Sequence, residues 1–327
     1  MTLSSRFAAL GAGVAAACAL LSSPVAHAAF PEHPLTLIVP FPAGGGVDTV
    51  GRLLAQSITA KTGATVVVEN RGGAGGTIGV AGAARAKPDG YVVTLGSPGN
   101  ISIAPTAYRG LSYDPRKDLT PIAMAVQMPL LLVGRPDAPY SSVAELVAYG
   151  KAHPDKLSYA SGGTGTSQHL AGGMLNQLAG IQAVHVPYKG SAPALTDVMG
   201  GRVDYVFVDT SAMGTVKSGR AKLLAVTNAK RSALLPDTPT IAESGVPGYE
   251  ALNWYGVFGP GGMDEQARQW WSAQIAAAVA DPAFVQKLNA QMLEAPPAMD
   301  SAAFTAFIEQ DIDKWAGLIR AMDLRLD

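Results

Sequence analysis

Residues 35–54, LTLIVPFPAGGGVDTVGRLL, change their hydrophobic pattern twice within one short stretch. Residues 35–39 are continuously apolar, which predicts a buried strand. Pro40 and Pro42 end it, and Gly44, Gly45 and Gly46 follow. Val50, Leu53, Leu54 and Ile58 then recur at helical spacing. They predict a helix that starts near Val47 or Asp48 and closes at Gly63. A glycine loop feeding a helix N-terminus suits an anion, because free N–H groups and the positive end of the helix dipole point the same way. Asp48, in the first turn, either caps the helix or holds a cationic group of a ligand. A tight strand-to-helix turn without any ligand is the plainer alternative.

The alternation continues along the chain. Strands are predicted over residues 65–69, 91–95, 183–188, 203–208, 222–227 and 252–259, and from 156 up to the loop at Ser161. Helices are predicted over 80–86, 143–152, 192–199, 265–280, 282–292 and 299–316, with another from the 161–167 loop through Leu178. Residues 122–134 form an extended apolar run broken at Met128-Pro129. Strands alternating with helices imply parallel α/β sheets, whose ligands bind beyond the carboxyl ends of the strands.

That rule singles out particular loops. The 161–167 loop, SGGTGTS, repeats the order of strand, small-residue loop and helix N-terminus. The hydroxyls of Ser161, Thr164, Thr166 and Ser167 can donate to a carboxylate. Thr166 or Ser167 could equally be an ordinary helix N-cap. Asp209 follows a strand end, where it either meets a ligand or caps the next helix. Ser97 lies in a further loop of this kind. Trp254 and Tyr255 are neighbours in a strand and face opposite ways, so at least one of them fills the core.

Several chemistries lack their signatures. Gly44 and Gly46 fit G-x-G-x-x-G, but Thr49 stands where the third glycine is required, and no Gly-Lys-Ser/Thr follows. There is no G-x-S-x-G elbow and no H-E-x-x-H pair, and His33, His153, His169 and His185 are scattered. Neither a cofactor nor a metal is expected. The formal charge of −1 provides no basic field for nucleic acid.

The first residues read as a leader: a short basic start, an apolar stretch over residues 7–21, and Ala26-His27-Ala28 as an A-x-A cleavage signal. The apolar stretch has about 15 residues, short of the roughly 20 that span a bilayer. Cleavage after Ala28 would leave Ala29 as the first residue of an exported chain. The single cysteine, Cys18, lies within the leader, so no disulfide or Cys-based site is expected. A lipid-bearing Cys18 is the alternative, but the preceding alanines lack the usual large aliphatic residue. The remaining chain of about 300 residues suggests roughly two domains.

In order, the chain carries LIVPFPAGGGVD, NRGGAGGTIG, YDPRKDLTPI, SGGTGTSQHLAG, HVPYKGSAPALTDVMGGRVD, LLAVTNAKRSALLPDTPTIAESGVPGYE and NWYGVFGP. This series resembles the extracytoplasmic substrate-binding receptors of tripartite tricarboxylate transporters, also called Bug proteins, over essentially the whole chain after the leader. The resemblance implies an α/β fold of the two-lobed periplasmic binding protein type II kind, each lobe a mixed, mostly parallel sheet flanked by helices. It implies one lobe from residues 29–121 and 228–327, a second from 122–227, and a ligand cleft between them. Carried onto this chain, the family's carboxylate-holding loops are Phe41, Ala43, Gly44, Gly45 and Asp48, with Ser161, Gly163, Thr164, Gly165, Thr166 and Ser167. Ser97 and Asp209 occupy matching loop positions.

The implied function is capture of a small organic carboxylate by a monomeric protein, hinge closure, and delivery to membrane permease subunits. It implies no enzymatic activity. One alternative recruits the same binding to signalling; another is a secreted hydrolase using Ser167 and His169. The chain departs from the family at Gly173, where many relatives carry Glu, in the segment after Asp209, and at residues 97–100. All three are expected to flank the cleft.

Overall fold

The first apolar run forms β1 (Leu35–Val39), and the glycines after it lead into α1 (Gly46–Thr62). The computed structural model describes residues 30–326. The leader, its cleavage site and Cys18 lie outside the described residues. In α1, Val47, Val50, Leu54 and Ile58 are buried against the sheet. Gly51 allows the close approach, since a Cβ there would come within 2.7 Å of the Val39 side chain. Gly63 ends the helix in the left-handed conformation and donates to the Thr59 carbonyl, as its position predicts.

The chain continues through β2 (Val66–Asn70), α2 (Thr77–Ala84), β3 (Val92–Gly96), a π-turn over Pro98–Ile103, α3 (Ala104–Ala107) and β4 (Leu119–Met128). It then crosses to β5 (Leu131–Gly134), α4 (Val143–Ala152), β6 (Leu157–Ser161), α5 (Ser167–Ala179), β7 (Ala183–Pro187), α6 (Ser191–Met199) and β8 (Tyr205–Val208). After a short α7 (Met213–Lys217) and β9 (Lys222–Val226) it returns to β10 (Asn253–Pro260). Three helices close the chain: α8 (Glu265–Val279), α9 (Pro282–Asn289) and α10 (Ser301–Ala321).

These strands build two five-stranded sheets, β2-β1-β3-β10-β4 and β7-β6-β8-β5-β9. Each sheet contains one reversed strand. β10 is antiparallel to β3 and β4, and β5 is antiparallel to β8 and β9. In both lobes the reversed strand is the one delivered by a crossing. The second sheet shows period-2 burial on its two faces. Leu132, Tyr205 and Phe207 enter one core, while Leu131, Val133, Val206 and Val208 enter the other.

The crossings differ from the expected limits. β4 does not leave the first sheet at residue 121; it pairs with β10 as far as Met128. The apolar side chains of 122–126 are buried there, and Pro129, which has no N–H for a ladder, ends the strand. Residues 228–252 likewise stay with the second sheet. Val226 bonds to Pro239 and Ile241, and Ile241, Val246, Tyr249 and Ala251 enter the second-lobe core. The prolines of that segment read as a connection, but its apolar side chains make it part of the lobe. α10 touches both lobes: Phe304, Ile308 and Ile312 pack with Trp254, whereas Trp315, Leu318 and Ile319 pack with Leu132 and Tyr159.

Candidate functional site

The first-lobe loop runs from β1 into α1. Gly45 is the helix N-cap and, lacking a side chain, offers no capping oxygen. The first N–H groups of α1 therefore open toward the space beside the loop. Asp48 folds that loop from behind. Its carboxylate accepts from the Gly44 amide at 2.9 Å, from Arg52 Nε at 3.0 Å and from Asn70 Nδ2 at 2.9 Å. Arg52 above all, then the Gly44 amide and Asn70, hold the Asp48 carboxyl down to about 2, against the opposing effect of burial. Asp48 is buried, and its oxygens accept three bonds from the protein. The Gly44 amide is committed with it.

The second-lobe loop runs from β6 into α5. Thr166 is the N-cap, accepting from the His169 amide at 3.3 Å and donating to the Gly163 carbonyl at 2.7 Å. The capping alternative thus describes its hydroxyl. Ser161 is fully buried beneath the loop, where its hydroxyl bonds to Gly163 and lies 2.7 Å from His185 Nε2. It shapes the loop and does not reach its surface. Among the described residues, the Ser167 hydroxyl has no protein partner.

Between the loops lie two adjoining cavities, of about 690 and 740 Å³. They share Gly46, Gly162, Thr166, Ser167, Asn253 and Tyr255. Of the residues expected at a site, Gly44 and Asp209 border the first cavity, and Thr166 and Ser167 border both. Phe41, Ala43, Gly45, Ser97, Gly163, Thr164 and Gly165 border the second. Asp48 and Ser161 border neither. The loops at the carboxyl ends of β1, β3, β6 and β8 all contribute, as expected for such sheets.

Tyr255 stands where the two cavities meet. Its neighbour Trp254 is fully buried and donates to Asp311 Oδ2 at 3.2 Å, so the strand alternation sends one ring to the core and the other to the cleft. Burial first, and then the Asp209 carboxylate, push the Tyr255 phenol well above its ordinary value. Gln168 and Ser191 escape the sequence reading. Gln168 Oε1 accepts from the Gly162 amide at 2.6 Å, and its Nε2 donates to Ser191 Oγ at 2.8 Å. Ser191 Oγ in turn donates to Asp209 Oδ2 at 3.2 Å. The position of Ser191 just after β7 was the available signal. Residues 290–293 also border the first cavity, but nothing in their sequence foretells it.

Residues 50–324 match the tripartite tricarboxylate transporter family receptor. The chain belongs to that family. It is 33% identical to protein BugT of Bordetella pertussis over 317 residues, covering 96% of this chain and 97% of BugT. The solved periplasmic binding protein BugD is 38% identical with a TM-score of 0.74, over 90% of this chain and 99% of that one. The R. palustris protein Rpa4515, solved with adipate, is 32% identical with a TM-score of 0.77, over 90% and 99%.

A Cβ at Gly173 would meet only the flexible end of the Met322 side chain, at 2.4 Å from its sulfur. Gly173 borders a separate cavity of about 590 Å³ with His169 and His185, so it lies behind the second-lobe loop and not on the cleft. Among the described residues, no group of three or more His, Cys, Asp or Glu could hold a metal ion, and no helix is long and apolar enough to cross a membrane.

Proposed function

We propose that this chain is the extracytoplasmic receptor of a tripartite transporter, capturing a small organic carboxylate and delivering it to membrane permease subunits. One observation carries the reading: two helix N-termini, at Gly45-Gly46 and Thr166-Ser167, come from different lobes and border the same pair of cavities. The N–H groups of Gly45, Gly46 and Ser167 and the Ser167 hydroxyl are donors suited to a carboxylate. Adipate in the related R. palustris protein supports this ligand class. The ligand contacts come from Phe41, Ala43, Gly45, Ser97, Gly163, Thr164, Gly165, Ser167 and Asp209. Asp48, Ser161 and the Thr166 hydroxyl hold the loops in place.

One lobe comprises the residues up to Met128 and from Asn253 onward, and the other comprises residues 131–252. The lobes close about the two crossings on the ligand. The protein works in the periplasm as a monomer after cleavage behind Ala28, and it binds without catalysing a reaction. Native mass spectrometry of freshly purified protein, followed by thermal-shift measurements with mono-, di- and amino-carboxylates, tests the reading. A released organic acid, or a melting temperature raised by at least one carboxylate, is expected. No bound acid and no shift with any of them would overturn it.

A further inference from the structure

Resting on the carboxylate-receptor reading for the use it serves, we propose that residues 322–326, which follow α10, strap the two lobes together. Within this strap Leu326 is a positioning residue that sets the spacing of one wall from each lobe.

The segment leaves α10 by a sharp turn. Asp323 takes the left-handed conformation, with φ of 48°, and the Leu324 amide bonds back to the Ile319 carbonyl at 3.1 Å. Burial then alternates: Met322, Leu324 and Leu326 are half-buried, whereas Asp323 and Arg325 are exposed. A period of two means an extended chain with one face turned inward. Met322 lies against Gly173 of α5, and Leu324 packs on the second-lobe core.

Leu326 engages both lobes at once. Its amide donates to the Ala107 carbonyl at 2.8 Å, and its carbonyl accepts from the Arg109 amide at 3.3 Å. These bonds flank Tyr108, with which Leu326 forms a parallel bridge. Residues 107–109 lie between β3 and β4, on the first-lobe part of the chain. The Leu326 side chain goes to the second-lobe loop instead. Its Cδ1 occupies the space that a Cβ at Gly165 would need. Gly165 has φ of 78°, so the loop presents bare backbone where the leucine packs. Tyr108 and Gly165 both border the second cavity. One residue thereby ties a first-lobe wall, through its backbone, to a second-lobe wall, through its side chain. Walls fixed before binding spare the ligand the cost of ordering them. The side-chain contact is apolar and non-directional, so methionine can replace leucine there and alanine cannot.

Hydrogen–deuterium exchange of the ligand-free protein tests the strap in wild type, Leu326→Ala, Leu326→Met and Arg325→Ala. Leu326→Ala should speed exchange at residues 107–109 and 161–167 by about tenfold, while β1 keeps its wild-type rate. Leu326→Met and the exposed Arg325→Ala should match wild type. Titration calorimetry with adipate, or with the carboxylate of largest thermal shift if adipate does not bind, tests the positioning. The Kd should weaken about three- to tenfold in Leu326→Ala and recover in Leu326→Met. Wild-type exchange at both segments in Leu326→Ala would overturn the strap. Faster exchange that extends equally to β1 would make Leu326 a general packing residue and overturn it as well. Faster local exchange with an unchanged Kd would overturn the positioning role. If wild type binds no carboxylate, the receptor reading falls, while the exchange rates still decide whether the strap exists.

Discussion

The imidazole rings of His169 and His185 stack face to face, with centroids 3.7 Å apart and planes within 15° of parallel. One ring comes from α5 and the other from β7, and together they brace the second-lobe loop from below. The Gly165 amide donates to His169 Nδ1 at 3.1 Å, so that ring nitrogen must be an acceptor and the imidazole neutral. Burial lowers His169 to about 4. Burial first, and then His169, lower His185 to about 3. Tyr159 packs against both rings, and Asp155 borders the same cavity.

Both folded-state values lie below the ordinary histidine value of about 6.5, so the unfolded chain takes up protons first as the pH falls. The pair's contribution to stability is fully present above about 6.5 and declines as the pH drops through about 4 toward about 3. Urea unfolding across this range should show stability falling with acidity. His185→Gln, which retains a polar group beside Ser161, should flatten the slope. An unchanged slope would show that the pair does not control acid stability.

Asp48 has the opposite sign. Its carboxyl is held near 2, below the ordinary 3.8, so its contribution is present above 3.8 and is lost as the pH falls through about 2. Asp48→Asn should cost about 1–3 kcal/mol at neutral pH, through weakened bonds to Arg52 and Gly44 and the loss of a charge in the first turn of α1. The gap between variant and wild type should narrow in acid. Equal stability at neutral pH would remove Asp48 as the brace of the glycine loop.

How much of this was legible in the sequence follows from what each residue touches locally. β1, α1 and the glycine loop were readable because period, proline and glycine all agree there. The loops of the cleft were readable because parallel strands send their carboxyl ends to one side. The reversal of β5 and β10 was not readable, since a strand buried on both faces has the same apolar pattern in either direction. The directions of the Asp48 and Ser161 side chains were not readable, because a sequence shows that a polar group lies in a loop, not which way it points. Gln168, Ser191 and Asp209 meet only when α5, α6 and β8 pack together, so no local pattern marks their network.

Thr227 joins both crossings between the lobes. It is fully buried, and its hydroxyl accepts from the Leu130 amide at 2.8 Å, beside the first crossing, and donates to the Ala251 carbonyl at 2.9 Å, beside the second. Its backbone repeats both links, donating to the Leu130 carbonyl at 3.1 Å and accepting from the Ala251 amide at 2.9 Å. Lobe movement must then pivot on the first-sheet side of this knot, next to Met128 and Asn253. Thr227→Val preserves the shape but removes a buried bond partner, which should cost about 1–3 kcal/mol. Thr227→Ser should retain most of that stability. The Leu130 amide should exchange with deuterium faster in Thr227→Val, where its acceptor is gone, than in wild type or Thr227→Ser. Wild-type stability and Leu130 exchange in Thr227→Val would mean that the crossings are held together by their backbone bonds alone.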